Sequence, residues 1–494
     1  MLAAAVIKGL DFEIVKGEVE KEISSVAFDS REVIENSIFV AISGFTVDGH
    51  HYIDKAIAKG AAMIVVEKDV VIEEDVTVLR VADTRKALAL VSANFYQHPT
   101  ENLNLIGITG TNGKTSTTYF IKSIFEQARQ SVGLIGTIGT MINNELRETK
   151  NTTPESLHLQ QIFKEMVQAD TENCIMEVSS HALSLKRVAY SNFRTGIFTN
   201  LSPDHLELHN SMEEYFEAKA ELFAMAQDYN VVNVDDEYGQ KLVNKIRYYD
   251  TKLVTYGIET ESDIYATDIK YGPDHTSYTV HTPKGSIDVT VNIPGLIYVY
   301  NSLAAIACAY CNNISLEDIQ KGINALEGIK GRLETVYKED DFKVVVDFAH
   351  TEDGLEKALT TLRPHTKDKL ILVFGVYAAK GEPGRDKRRA MAMVASQYAD
   401  LAIVTSDNPK DQDPNAIIAE IIEAMDEAGG RYEVFVDRKD AIERAVDACG
   451  KEDTLLIAGK GHETAQIIGD KEVPFNETEI VLNAILNRKQ LVIN

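Results

Sequence analysis

The sequence predicts a three-domain α/β protein. An N-terminal α/β unit is expected over 1–100, a central parallel-sheet domain with a P-loop-type phosphate site over 101–331, and a Rossmann-like α/β unit over 332–494. Three observations carry this. At 494 residues the chain has room for about three domains of ordinary size. Short apolar, β-rich runs alternate with segments of helical period, as in parallel strands joined by crossover helices. One stretch, Leu105-Ile-Gly-Ile-Thr-Gly110-Thr111-Asn112-Gly113-Lys114-Thr115-Ser116, reads as strand, glycine turn, lysine, hydroxyl and helix start.

Composition narrows the field. An apolar fraction of 44% suffices for packed cores, and no apolar run has the length of a membrane span. The segment 1–9 is too short and uncharged for a secretory leader. Four cysteines (Cys174, Cys308, Cys311, Cys449) lie in or at the end of apolar segments without metal-ligand spacing, so reduced thiols in a cytoplasm are expected. A net charge of −26 argues against nucleic acid, because phosphate backbones are met by basic surfaces.

In chain order, 38–42 and 62–66 read as strands and 51–60 as a short helix ending at glycine. The polar loops Asp29-Ser30-Arg31 and 43–50 follow apolar stretches. Loops after strands are where α/β sheets bind ligands, although alone these read as plain turns.

The glycine stretch opens the central unit. Backbone N–H groups at a helix start face an anion, Lys114 reaches outer phosphates and a hydroxyl suits Mg²⁺. The spacing departs from the standard P-loop: glycines fall at 107, 110 and 113, with Ile108 where the first would stand. A glycine turn before an ordinary helix is the alternative. Gly-Lys-Thr after an apolar strand favours a nucleoside triphosphate.

Strands follow at 132–135, 174–178 and 195–199. Glu177 interrupts the second just before Ser179-Ser-His181; a carboxylate there needs a partner, and beside a phosphate loop Mg²⁺ suits it better than a structural ion pair. Next come Asp204-His205-Leu-Glu-Leu-His209 and a helix over 212–223. Ser211 and Glu214 form a capping box. Tyr215, Lys219, Leu222 and Phe223 share one face, where a lysine ordinarily snorkels to the surface. His205 and His209 are four apart but lack a third ligand at a zinc-site spacing.

The third unit has strands at 343–347, 370–374, 401–405 and 455–458. Each ends in a polar or glycine-bearing loop, and four such loops on one sheet edge make a convergent site.

Together these motifs resemble those of the Mur ligases, specifically the UDP-N-acetylmuramoyl-tripeptide synthetases. The resemblance spans all three units. It rests on Asp29-Ser-Arg31, Thr109-Gly-Thr-Asn-Gly-Lys-Thr115, Asn151-Thr-Thr-Pro154, Glu177-Val-Ser-Ser-His181, Asp204-His205, Ala218-Lys219, Gly331-Arg332, Asp347-Phe-Ala-His350, Asp407-Asn-Pro409 and Gly459-Lys-Gly-His-Glu463, in the family's order.

The resemblance implies an ATP- and Mg²⁺-dependent ligase, cytoplasmic and monomeric, with no nucleic acid or membrane partner. It would add a free amino acid to UDP-N-acetylmuramoyl-L-alanyl-D-glutamate through an acyl phosphate. ATP would meet Gly110, Thr111, Asn112, Gly113, Lys114, Thr115, Ser116, Asn301, Arg332 and Asp347. Metal ligands would be Thr115, Glu177, His205 and Lys219, the last as N6-carboxylysine, which replaces the snorkelling reading: a carbamate binds the cation that an ammonium repels. Lys114, Lys219, Glu177 and His205 would be catalytic. The UDP-muramoyl-dipeptide would lie on Ser30, Asn151, Thr152, Thr153, Ser179 and Arg187. The incoming amino acid would meet Arg385, Asp407, Asn408, Lys410, Gly459 and Glu463.

Four features depart from the family pattern, one of them Leu185, where glutamine or glycine is expected near the muramoyl-peptide. Lys410 stands where diaminopimelate enzymes carry an arginine, keeping the charge without the bidentate fork. The loop Lys380-Gly-Glu-Pro-Gly-Arg385-Asp-Lys387 is altered, and Tyr298 replaces an asparagine expected near adenine. A diamino acid remains the expected acceptor. Folylpolyglutamate or poly-γ-glutamate ligases are alternatives that would not need the N-terminal unit. A non-catalytic muramoyl-peptide-binding paralogue would not need Lys114, Glu177, His205 and Lys219 together.

Overall fold

The computed structural model describes residues 1–493 except 45–46, 205, 340–341 and 379–380. Three large sheets follow one another along the chain. The first has five strands in the order Glu13–Lys16, Thr77–Arg80, Ala61–Val66, Ser37–Val40 and Ser25–Ala27, parallel except for the first pair. The third has six, with Asp453–Ala458 between Phe342–Asp347 and Leu370–Phe374; Leu401–Val404 and Tyr432–Val434 lie beyond, and only Glu334–Lys338 runs antiparallel.

The second sheet is the largest, at eleven strands. Its centre is Asn104–Thr109, paired in parallel with Asn173–Glu177 on one side and Phe193–Phe198 on the other. Parallel pairing sends all three carboxyl ends to one edge. The loops after Thr109, Glu177 and Phe198 therefore meet there, as open α/β sheets require of a binding crevice. The helix Lys114–Gln127 then runs back along the sheet, burying Phe120, Ile121, Ile124 and Phe125 against helices Leu296–Cys311 and Leu316–Ala325.

The sheet departs from the expected parallel one at both margins. Gly139–Ile142 and Glu145–Arg147 extend one margin antiparallel, and Thr276–Thr282 and Gly285–Val291 extend the other. Marginal antiparallel strands can be solvated on one face, and Thr276–Thr282 alternates between buried and half-buried positions accordingly. A search for continuous apolar runs passes over them.

One cluster of buried apolar side chains continues from Ile106 and Phe120 through Tyr298, Val299 and Ile329 to Ala349, Leu355 and Leu372. The central and third sheets thus share a core. No helix among the described residues is long and apolar enough to cross a membrane. All four cysteines are buried and free.

Two local readings change. Ser211 caps the helix Met212–Met225 by accepting from the Glu214 N–H at 3.1 Å. The Glu214 carboxylate accepts from the Asn210 side chain instead of closing the capping box. Lys219 does not snorkel: it is 2% exposed, because its face of the helix packs under the glycine loop.

Candidate active site

The carboxyl edge of the central sheet and the facing edge of the third enclose a cavity of about 310 Å³. Thr111, Asn112, Gly113, Lys114, Thr115 and Ser116 form one wall, Glu177, Thr152 and Ser179 a second, and Asn301, Arg332 and Asp347 a third. Residues as far apart in sequence as Thr111 and Asp347 thus meet on one cavity.

Gly113 is left-handed at φ +87°, and a Cβ there would stand 2.2 Å from Asn301 Oδ1, so only glycine fits. Gly110 turns its carbonyl toward two ammonium groups: Lys114 Nζ and Lys219 Nζ each donate to it at 2.9 Å. Lys114 also donates to the Thr111 carbonyl at 2.9 Å, folding over its own loop.

The local field is cationic. Desolvation holds Lys114 below its ordinary range; Glu177 and Asp204 oppose the shift and Arg332 adds to it. Burial and then the Lys114 charge hold Lys219 well below its own. Its Nζ also lies 4.5 Å over the Tyr215 ring.

Glu177 is 1% exposed, and both its oxygens are occupied: Thr137 N–H donates to Oε1 and Thr137 Oγ1 to Oε2, each at 2.9 Å. Its own carbonyl accepts from Thr153 Oγ1 at 2.8 Å. Among the described residues no group of three or more His, Cys, Asp or Glu could hold a metal alone. Mg²⁺ needs fewer: it takes one or two protein oxygens with substrate phosphates and water. Glu177 and the Thr115 hydroxyl on the same cavity meet that requirement. His205 lies outside the described residues. The zinc-like spacing it shared with His209 leads elsewhere, since His209 Nε2 meets Ser180 Oγ at 2.9 Å and its ring stacks on Tyr215.

Arg332 Nη2 donates to Thr115 Oγ1 at 3.0 Å, and Asn112 Nδ2 donates to Asp353 Oδ2 at 2.7 Å, so the third unit touches the phosphate loop twice. Asp347 accepts from the N–H groups of Leu333 and Ala349, at 2.6 and 2.7 Å. Burial raises its carboxyl above the usual range, with Arg332 working against the shift.

A second pocket lies on the first sheet. Ser30, Asp29, Arg31, Gly49 and Arg85 line it, and Glu155 of the central unit closes it. Arg187 joins this wall through Glu155 at 2.6 Å, while its Nη1 donates to the Thr153 carbonyl at 3.0 Å. Asn151 is exposed.

At the third sheet Asp407, Asn408, Gly459 and Glu463 come together. Asn408 Nδ2 donates to Glu463 Oε2 at 3.2 Å, and a Cβ on Gly459, at φ +123°, would stand 2.7 Å from Asp407 Oδ2. Lys410 is exposed beside them, its N–H bonded to the Ile467 carbonyl at 3.1 Å. Arg385 is not with this group: its side chain is 73% exposed and faces Glu420 at 3.8 Å, because the altered loop starts a helix at Gly381 and turns Arg385 outward.

Sequence reasoning missed the framework beneath. Lys460, fully buried, donates to Asn408 Oδ1 at 3.0 Å and Glu463 Oε2 at 2.6 Å. Under it Arg438 and Glu477 form an ion pair at 2.7 Å with neither side chain exposed, and Glu477 Oε2 accepts from the Gly461 N–H at 3.2 Å. Lys460 stood inside a quoted motif and was given no role. Arg438 and Glu477 carry no local signal; Thr137, Arg85 and Glu155 were missed for the same reason.

Known proteins match this chain along most of its length. Residues 22–96 match the Mur ligase family catalytic domain, 108–309 the Mur ligase middle domain and 331–461 the Mur ligase glutamate ligase domain. A UDP-N-acetylmuramoyl-L-alanyl-D-glutamate–2,6-diaminopimelate ligase of Clostridium perfringens is 42% identical, covering 98% of this chain and 99% of that one. The ligase of the same name from Clostridioides difficile is 43% identical, with 96% and 97% covered. A solved structure of a ligase of that name superposes with a TM-score of 0.70 at 27% identity, covering 99% of both chains. With three consecutive domain matches and full-length relatives above 40% identity, the chain belongs to the Mur ligase family.

Proposed function

We propose that this protein is an ATP-dependent amide ligase that adds a diamino acid, 2,6-diaminopimelate first among them, to UDP-N-acetylmuramoyl-L-alanyl-D-glutamate. One observation carries the reading. A phosphate loop and a buried carboxylate, with a buried lysine packed under the loop, face Arg332 and Asp347 of the third unit across one cavity, and the acceptor-loop cluster gathers on the same carboxyl edge of the third sheet as Asp347.

The chemistry needs this layout. A carboxylate is a poor electrophile. Its oxygen attacks the terminal phosphorus of ATP, ADP departs, and the acyl phosphate forms. The acceptor's neutral amine then attacks the acyl carbon and phosphate leaves, completing the amide. Lys114, now folded onto Gly110 and Thr111, swings to the outer phosphates, as an ammonium should when anionic oxygens replace carbonyls. Thr115 and Glu177 would hold Mg²⁺, which would supply positive charge to offset that developing on the transferring group. The remaining ATP contacts are assigned to the glycine loop, Asn301, Arg332 and Asp347.

Lys219 is assigned the carbamate role. Its burial favours the neutral amine, the form that adds CO₂, and the product would carry a carboxylate beside the phosphate loop. His205 is assigned to a second ion on the motif alone. Ser30, Asn151, Thr152, Thr153, Ser179 and Arg187 are assigned to the UDP-muramoyl-dipeptide. Asp407, Asn408, Lys410, Gly459 and Glu463 are assigned to the acceptor, with Arg385 reaching it only after a change in its loop. We place the enzyme in the cytoplasm as a monomer.

The test is acceptor-dependent phosphate release from ATP and Mg²⁺ with UDP-muramoyl-dipeptide. Meso-diaminopimelate, L-lysine, D-lysine and L-ornithine form the panel, with the product weighed by mass spectrometry. Amide product with meso-diaminopimelate is expected. Phosphate release with none of them would overturn the reading.

A further inference from the structure

A buried ion pair joins the third unit to the nucleotide cavity, and neither residue has a role in the account above. Lys387 projects from the helix Gly381–Tyr398, and its Nζ stands 3.0 Å from Asp204 Oδ1 in the central unit. The two side chains are 14% and 5% exposed. Lys387 is seated by its own unit, since Nζ also donates to Tyr377 Oη at 3.1 Å and lies 4.3 Å over that ring. Asp204 lines the cavity with Lys114 and Glu177.

An isolated buried ion pair adds little net stability, because desolvation consumes the attraction; its best-attested use is to fix one arrangement among several. Here the arrangement concerns the phosphate loop. Asp204 ends a segment tied to that loop twice: Ser202 N–H donates to Thr111 Oγ1 at 3.0 Å, and Thr111 Oγ1 donates to the Ser202 carbonyl at 3.1 Å. Asn200 adds a third tie, its Oδ1 accepting from the Asn112 N–H at 3.0 Å. A pull on Asp204 is therefore felt at Thr111 and Asn112.

We propose that Lys387 is a positioning residue for the ligase reaction: by gripping Asp204 as the third unit docks, it fixes the 200–204 segment, and through it the phosphate loop, in the arrangement that reacts. The proposal rests on the ligase reading above. Asn112–Asp353 and Arg332–Thr115 hold the same two units at the loop itself, so nucleotide binding does not depend on Lys387.

The test uses the full chain with Lys387→Met, Lys387→Arg, Asp204→Asn and the double variant Lys387→Met/Asp204→Asn. Losing one partner of a buried charge pair predicts a fall in kcat of about 30-fold or more for Lys387→Met. ADP affinity should stay within about threefold of wild type, and Lys387→Arg should recover most of the rate. The double variant should be no slower than Asp204→Asn alone, since the two act as one unit. Wild-type kcat in Lys387→Met, or losses that multiply in the double variant, would overturn the proposal.

Small-angle scattering with a non-hydrolysable ATP analogue, Mg²⁺ and UDP-muramoyl-dipeptide reads docking without turnover. Wild type should compact more than Lys387→Met, and equal compaction counts against the ion pair. If wild type makes no amide with any acceptor, the ligase reading fails and scattering alone decides the role of Lys387. Should Lys387→Met not fold, Tyr377→Phe, which keeps the ring and removes one oxygen, should slow turnover about threefold. An unchanged rate there would sink the idea.

Discussion

The nucleotide site and the acceptor cluster, each at the carboxyl edge of its own sheet, are built by different means. The nucleotide edge of the central sheet is one contiguous motif, Gly110 to Ser116, shaped by backbone conformation and braced by hydroxyls and carbonyls. The acceptor edge of the third sheet draws on residues 407–410, 438, 459–463 and 477, and charge buried out of water holds it together. The difference follows from the ligands proposed. Phosphate is met by N–H groups at a helix start, which a short segment supplies complete. A zwitterion needs opposite charges at fixed separation, and only several elements locked together provide that. Damage to the nucleotide edge should therefore cost chemistry, and damage to the acceptor edge should cost structure.

The sharpest trial of that contrast is Lys219→Ala. Loss of a preorganised charge beside a transferring phosphoryl group predicts a fall in turnover of about 10³-fold. The fold should not suffer, because the variant removes a buried amine whose charged form desolvation and the Lys114 charge both oppose. ADP affinity and the thermal midpoint are expected near wild type, and a short-chain carboxylate should restore activity by standing in for the carbamate. Wild-type turnover without any additive would remove Lys219 from the chemistry.

Arg438→Met probes the other edge. It strands Glu477, fully buried, without its counter-ion, and such losses cost about 3–5 kcal/mol. Denaturant unfolding should show that loss. KM for the acceptor should rise while ADP affinity stays near wild type, since Arg438 bonds Glu477 and the Ala458 carbonyl beneath the acceptor loops and its charge acts on Asp407 and Glu463. Pairing it with Glu477→Leu should return most of the stability. If ADP affinity falls as far as acceptor affinity, the two edges are not separable and the contrast fails.

The same contrast explains what the sequence made legible. The central parallel strands that carry site loops are mostly apolar, even with Glu177 interrupting one, so 105–108, 174–178 and 195–199 could be placed within two residues of their observed bounds. The glycine loop was legible because its constraint is local: Gly113 must be glycine where it stands. Lys460, Arg438 and Glu477 gave no warning, because their partners lie at sequence separations that only folding reveals. Lys219 shows both limits at once. Its helical spacing predicted a snorkelling surface residue and the family motif a metal-binding carbamate; burial under Gly110 rules out the first.

His462 is where the two edges meet, and it predicts the smallest effect. It belongs to the acceptor loop, yet its ring feels the backbone of Thr137, the residue that occupies both oxygens of Glu177. Its ring packs on Phe348 at 4.8 Å, and its Nδ1 is buried without a partner. Burial first, then the charges of Arg332 and Lys330, lower its pKa from 6.5 to about 3. An unfolded chain therefore takes up this proton near pH 6.5, while the folded one refuses it until about 3. Between those values the unfolded state binds more protons, so acidification through that window destabilises the fold, by at most about 1.4 kcal/mol per pH unit for one group. His462→Phe keeps an aromatic ring against Phe348 and removes the titration. Its unfolding free energy should fall less steeply than that of wild type as pH drops from 6.5 toward 3. Parallel curves would mean that His462 does not titrate in this window on unfolding, and that the joint between the edges is held by Arg332 and Asp353 without it.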